Sequence, residues 1–377
     1  MKVIRLLLLL LASIIFISCG TKKEVPTVKL GHAPHDHHAP LYIAAAMGDY
    51  FKKNGGVYLK EITYKTDYQL YRDGELLANI KIDSSTGGIN LIRKLDEKIL
   101  DVSFGGVPAM IEMIDKGSRI KIIAPVNADG DALIVDKNMP VSNWKEFVDY
   151  IKESKKPVRI GYKVSTSVQN LIFESALNNE GISFSRELNA ENVDVVVVNL
   201  HGPNNLLPAL ESHVIDGFVV MQPFPAMAEY STNGKIISQL RDLPPSGDWN
   251  DHPCCALASG EDFIKKHEDI VEALIELFGK AAEYIGEHPH ESAAITSKWL
   301  GTSVDVEALS LPTIRYKEEY NKEWNSGVDF WVSSLIKSGE ITGEVKKAYE
   351  SSTLDKLIYD KTPYDSVRKR MNKDVDK

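Results

Sequence analysis

Cysteine is nearly absent: three occur in 377 residues, at positions 19, 254 and 255. A disulfide framework therefore cannot hold this fold. Cys254 and Cys255 are neighbours, and adjacent cysteines do not close an unstrained disulfide. A basic cluster is also missing. The 44 Lys and Arg stand against 53 Asp and Glu, a formal net charge of −9, which argues against nucleic acid as a partner. Neither a serine–histidine arrangement nor a pair of catalytic carboxylates stands out. What remains is core burial, and a chain of this length divides into two domains rather than filling one core.

The one long apolar run, Leu6 to Ile17, is interrupted only by Ser13. It is too short for a membrane-spanning helix, which takes about 20 residues. With Lys2 and Arg5 ahead of it, the run is expected to be the h-region of a signal peptide over residues 1–18. Phe16-Ile17-Ser18-Cys19-Gly20 resembles a bacterial lipobox, with Phe16 where leucine is usual. That resemblance implies cleavage before Cys19, a lipid on its sulfur and attachment to the outer side of a bacterial membrane. The polar stretch 19–27 is then the tether.

Beyond it, short apolar strands alternate with helices of 3–4 spacing, the pattern of an α/β protein with mostly parallel sheets. Strands are expected at 28–30, 57–64, 120–125, 132–135, 158–161, 193–200 and 254–259, and a helical C-terminus from about 262. Arg72-Asp73-Gly74-Glu75 predicts a hairpin over 68–82. Ser84 to Gly88 is expected to cap the helix at 89–99, and Ser165-Thr166-Ser167 the helix at 168–178. One lobe is expected at 28–138 plus 223–377 and the other at 139–222, joined by a two-segment hinge.

Two stretches repeat one design: a charged turn, a short apolar run, then a small-residue turn ahead of a helix. They are 98–108, containing Gly105-Gly106, and 214–223, ending at Gln222-Pro223. Strand ends of this kind, one per lobe and facing each other, form a cleft for a small molecule.

The least ordinary segment is HAPHDHHAP at 32–40, with His32, His35, His37 and His38 inside seven positions. Ala39 offers no side-chain acceptor to the helix that Pro40 opens, so backbone N–H groups and imidazoles together suit a carboxylate, sulfonate or oxyanion. The same four histidines are the alternative ligands for a metal ion, although their spacing fits no standard motif. Tyr42 is a possible aromatic wall, Gly105 and Gly106 permit close backbone approach, and Gln222 offers a donor and an acceptor. Ser165, Thr166 and Ser167 bring hydroxyls beyond those a cap consumes. Cys254 and Cys255 suit a small-residue core strand.

HHAPLYIAAAMGDYFKKNG (37–55), LDVSFGGVPAMIEMIDKG (100–117), KIIAPVNADGDALIV (121–135), VRIGYKVSTSVQNLIFESAL (158–177), ALESHVIDGFVVMQPFPAMAE (209–229), HPCCALASGEDFIKKH (252–267) and FWVSSLIKSGEIT (330–342) follow one another in a familiar order. Together they resemble the substrate-binding proteins of ABC importers for nitrate, sulfonates, taurine and bicarbonate, a group that includes thiamine-pyrimidine-precursor binders. The resemblance implies a type II periplasmic-binding-protein fold whose two lobes close on a solute. It places ligand contacts at His32 to His38, Gly105-Gly106, Ser165 to Ser167 and Met221-Gln222. It implies a monomer without cofactor, working with a permease and an ATPase and changing nothing chemically. Thiamine-pyrimidine-precursor synthases share the fold and use a histidine with a cysteine cluster; here only Pro253-Cys254-Cys255 remains of such a run.

Overall fold

The computed structural model describes residues 24–85, 87–231, 233–316 and 319–375. The signal peptide and Cys19 lie outside the described residues. The strands are β1 (Thr27–His32), β2 (Val57–Thr63), β3 (Asp67–Arg72), β4 (Glu75–Ser84), β5 (Val102–Gly106), β6 (Ile120–Asp129), β7 (Asp131–Asp136), β8 (Val158–Tyr162), β9 (Phe184–Ser185), β10 (Val195–Asn199), β11 (Gly217–Met221), β12 (Gly234–Gln239), β13 (Pro253–Gly260) and β14 (Ile314–Tyr316). They build two sheets with helices packed around them. The first has the order β14-β6-β13-β5-β1-β4-β3-β2, the second β12-β7-β11-β8-β10-β9.

Parallel pairing follows the strand–helix–strand units. It joins β4, β1 and β5 in the first sheet and β9, β10, β8 and β11 in the second. The first sheet is otherwise antiparallel, against the expectation of mostly parallel sheets. The reasons are local. The 67–84 hairpin adds two strands through Asp73 and Gly74, both at positive φ, as a type I′ turn requires. Strands β6 and β13 run against their neighbours as the chain crosses between the sheets.

The expected lobe boundaries are also corrected. Strand β7 pairs with β11, and β12 pairs with β7, so both belong to the second sheet. The crossings are therefore at Gly130, between β6 and β7, and in 240–252, between β12 and β13, rather than near 139 and 222. Asp129-Gly130-Asp131 interrupts one continuous apolar stretch, and that interruption is the crossing itself.

The central strands are largely buried: Val28 and Leu30 on one face of β1, whose Lys29 is exposed, Val102 to Phe104 on β5, and Val195 to Val198 and Phe218 to Val220 in the other sheet. The C-terminal helices close over the first sheet. Asp115, at the end of the helix Val107–Asp115, accepts from the amides of Thr342, Gly343 and Val345 at 2.8–2.9 Å. This caps the start of the helix Glu344–Glu350, where Gly343 offers no side chain of its own.

Candidate functional site

Strand β1 ends at His32, and the chain turns through a single 3₁₀ turn, Asp36–His38, into the helix Ala39–Ala46. His35, in extended conformation, is the residue before that turn. Four imidazoles are thereby folded inward, all at 7 % exposure or less. Tyr42 holds the loop from within: its hydroxyl lies 3.0 Å from the His35 carbonyl and its ring stacks on Trp299 at 5.0 Å. Its hydroxyl is thus spent on the loop, so Tyr42 supports the site rather than walling it. Asp36 receives the Ser310 hydroxyl on its carboxylate, and the Tyr316 hydroxyl donates to its carbonyl at 2.8 Å.

The four histidines do not converge on one point. His32 packs edge-on to Tyr42 and Trp299. His38 Nδ1 lies 3.0 Å from both backbone atoms of Ala33, and its ring covers Phe104. His35 and His38 face each other with centroids 4.2 Å apart. His37 turns away, its Nε2 donating to the Gly130 carbonyl at 3.0 Å. A four-histidine metal site is therefore not what the loop forms. His35 Nδ1 and His38 Nε2 are buried without a hydrogen-bond partner.

Burial pushes the His32 imidazole down to about 3, with His38 adding to the effect. Burial also pushes His35 well below its ordinary value, helped by His38, His37 and Lys163. These two rings are neutral near pH 7, so any hydrogen bond they give a ligand is that of a neutral N–H.

The second sheet supplies the opposite wall. Gln222, at the end of β11, donates its backbone N–H to Gly130 at 2.9 Å, and its carbonyl accepts from the Asp36 amide at 3.4 Å. Its Oε1 accepts from Ala226 N, while Nε2 is buried without a partner. Ser167 caps the helix Val168–Asn179, its hydroxyl accepting from Asn170 N. Thr166 is buried and Ser165 half-buried in the same turn. Val164 of that turn faces Gly88 across the seam. The 84–88 turn itself makes no side-chain cap: Gly88 starts the helix at φ +62, and Ser85 Oγ donates to Asp83 instead.

Gly105 and Gly106 lie on β5 beside β13. A Cβ on Gly105 would fall 2.5 Å from Ile92 Cδ1, so that glycine answers to a packing need rather than to ligand approach. Gly106 has open space as far as the Cys254 carbonyl at 3.9 Å.

Several residues were not singled out by sequence reasoning. Lys163, the residue after β8, approaches Met221 Sδ at 3.4 Å, and its charge reaches His35 and Cys254. Asp131 accepts from Gln169 Nε2 and pairs with His252 Nε2 at 3.0 Å. His252 Nδ1 lies 3.2 Å from Asp129, which also pairs with Arg241 and Arg315. Burial alone would lower His252, but Asp129 and Asp131 raise it to about 10. The polar triplet Asp129-Gly130-Asp131 inside an apolar run was the available signal.

Cys254 and Cys255 are buried, as a core pair would be, but they lie against His37. The Cys254 sulfur is 3.2 Å and the Cys255 sulfur 4.0 Å from His37 Nδ1. A bond from Cys254, then His37 and His38, hold the Cys255 thiol well below its ordinary value against burial. Burial opposes protonation of His37, yet Cys255 and Asp131 raise it. The arrangement favours charge separation, with the proton drawn from the Cys255 thiol toward His37.

Residues 21–301 match the NMT1-like family. The uncharacterized protein MJ1180 of Methanocaldococcus jannaschii is 34% identical over 140 residues, 36% of this chain and 97% of that protein. The nitrate import ATP-binding protein NrtC of Synechocystis is 23% identical over 299 residues, 76% of this chain; the match spans only 39% of NrtC. Among solved structures, the zinc-bound ligand-binding component of an ABC-type import system from Staphylococcus aureus superposes with a TM-score of 0.68. It is 17% identical, over 91% of this chain and 99% of that one. The periplasmic nitrate-binding protein NrtA from Synechocystis gives 0.67 at 16% identity, over 92% and 89%. These neighbours have the two-lobed periplasmic-binding-protein fold described above, and with residues 21–301 matched the chain belongs to the NMT1-like family.

Proposed function

We propose that this protein is the extracytoplasmic solute-binding component of an ABC importer, holding a small polar or anionic solute between its two sheets. The observation that carries the proposal is a set of buried, partnerless polar atoms contributed by both halves of the molecule. His35 Nδ1 and His38 Nε2 come from the first lobe, Gln222 Nε2 and Gln169 Oε1 from the second. Such atoms cost roughly 1–3 kcal/mol each when left unpaired, so a ligand that pairs them gains what the empty site lacks.

The chemistry narrows the solute. Neutral imidazoles can give or accept one hydrogen bond at each nitrogen, and the charge of Lys163 reaches His35. A solute with one anionic group toward Lys163 and polar edges toward His35, His38 and Gln222 suits these groups. Ser165, Thr166 and Gly106 are secondary contacts on the same rim. Cleavage after residue 18, lipid on Cys19 with 19–27 as tether, and a monomer serving a permease and ATPase complete the proposal. No chemical change of the solute belongs to it.

Thermal shift against nitrate, sulfonates, amino acids and pyrimidines tests it. A true ligand at about 100 times its Kd adds about 2.7 kcal/mol. His35→Ala and Lys163→Ala should abolish that shift while leaving the unliganded melting temperature within about 1–2 °C. Native mass spectrometry of freshly purified protein would show a co-purified solute. No shift across the panel, with no bound molecule in the spectrum, rejects the proposal.

A further inference from the structure

Cys254, Cys255 and His37 have no part in the solute site proposed above, yet their ligating atoms all lie within 4.8 Å of one another and all three residues are buried. We propose that these three side chains form a binding site for a thiophilic metal ion, zinc(II) or copper(I), with one nitrogen and two sulfur donors.

Three observations carry this. The first is the backbone that presents the cysteines. Successive side chains of a regular strand point to opposite faces, so Cys254 and Cys255 should diverge. In β13 the pairing register to β6 shifts between Pro253 and Cys255 and again between Cys255 and Ala256. The irregular stretch delivers both sulfurs to one ring, 3.2 and 4.0 Å from His37 Nδ1.

The second is the far side of the imidazole. His37 Nε2 donates to the Gly130 carbonyl at 3.0 Å, with the Asp131 carboxylate 3.9 Å away. A metal-bound histidine is held by this kind of outer partner, which fixes the ring and leaves the other nitrogen for the ion. Here that other nitrogen, Nδ1, is the one facing the sulfurs. Gln169, from the other lobe, approaches Cys254 Sγ at 3.8 Å and adds an outer donor to the sulfur.

The third is distance and donor type. With metal–sulfur bonds of about 2.3 Å and metal–nitrogen bonds of about 2.0 Å, tetrahedral donors stand about 3.5–3.8 Å apart. The two sulfur–nitrogen separations bracket that range, so an ion enters with shifts of a few tenths of an ångström. Two thiolates with an imidazole select zinc(II) or copper(I) over magnesium or calcium, which take oxygen. On binding, whatever protons Cys254, Cys255 and His37 Nδ1 hold leave to solvent and the ion takes their place. Three protein donors leave a fourth position open.

The test uses the full chain, reduced and stripped of metal, titrated with Zn²⁺ and separately with Cu⁺ against a chromophoric chelator. One equivalent of either ion is expected on the wild type and on Cys19→Ser. Its affinity should fall at least tenfold in His37→Gln and in Cys255→Ser, with circular dichroism confirming that both variants fold. X-ray absorption of the loaded wild-type chain, which needs no variant, should count two sulfur neighbours. Less than a tenth of an equivalent of both ions overturns the proposal. So does an equivalent that survives Cys254→Ser/Cys255→Ser, or a first shell of nitrogen and oxygen alone.

Discussion

His32 and His35, in the loop after β1, and His252, in the return crossing, are all buried, but the first two are neutral and His252 is charged. In the loop, rings face rings and backbone: His35 stands 4.2 Å from His38, and His32 lies against Tyr42 and Trp299. Burial outweighs the Ala33 carbonyl and Asp83, which favour a proton on His32, and drives both rings neutral. His252 sits between Asp129 and Asp131, one carboxylate at each nitrogen, and is held protonated to about 10. Burial sets the cost of a charge; the nearest partner decides whether that charge exists. The loop leaves His35 Nδ1 and His38 Nε2 without a partner, while the crossing pairs its imidazolium with carboxylates.

The most forceful way to break this contrast is to remove the crossing's cation. His252→Gln leaves buried Asp131 without its imidazolium partner, while Asp129 keeps only Arg241 and Arg315. A loss of about 3–5 kcal/mol is expected in urea denaturation, and Asp131→Asn in the same chain should recover part of it. A loss under 1 kcal/mol would mean that the imidazolium contributes little.

Next in size is the pH dependence, where the two kinds of histidine act on opposite limbs. For His252 the folded value of about 10 exceeds the unfolded value near 6.5, so its stabilisation is full below 6.5 and declines as pH rises toward 10. For His32 the folded value of about 3 lies below the unfolded one, so its stabilisation is full above 6.5 and declines as pH falls toward 3. Melting temperature should peak near neutrality. His252→Gln should flatten the alkaline limb and leave the acid limb, and calorimetry across pH 4–9.5 would reveal either limb behaving otherwise.

Gly130→Ala comes third. Gly130 has φ +84, and a Cβ there would fall 2.5 Å from Ile314 Cγ1 and 2.7 Å from His37 Nε2. A cost of about 1–3 kcal/mol is expected, with loss of the His37–Gly130 bond visible as a shifted imidazole resonance. The smallest effect belongs to Arg186→Ala. Arg186 bonds Glu174 of its own lobe and reaches Glu340 of the other at 3.3 Å, but it is partly exposed. Under 1 kcal/mol is expected in stability, measured by the same denaturation.

Much of the scaffold was legible in the residues. The Asp73-Gly74 hairpin, the apolar strands and the C-terminal helices announce themselves through turn chemistry and periodicity, which are local properties. The lobe boundary was misplaced because the stretch 120–135 carries apolar residues on both sides of Asp129-Gly130-Asp131. Composition cannot tell a turn inside a sheet from a passage to another sheet. The histidine loop was identified from its composition, but not the neutrality of its rings, which depends on what packs against them. The encounter of His37 with Cys254, 217 positions away, has no trace in sequence spacing.

The two passages between the sheets differ in slack. Strand β6 ends at Asp129 and β7 begins at Asp131, so one residue joins the halves on that side, whereas 240–252 joins them on the other. A single-residue link permits turning but almost no separation. Any opening of the protein must therefore be a swing pivoted at Gly130, and spin labels beside that pivot would barely move apart. Labels near Arg186 and Glu340, which pair across the two halves, would move apart more than labels at the pivot.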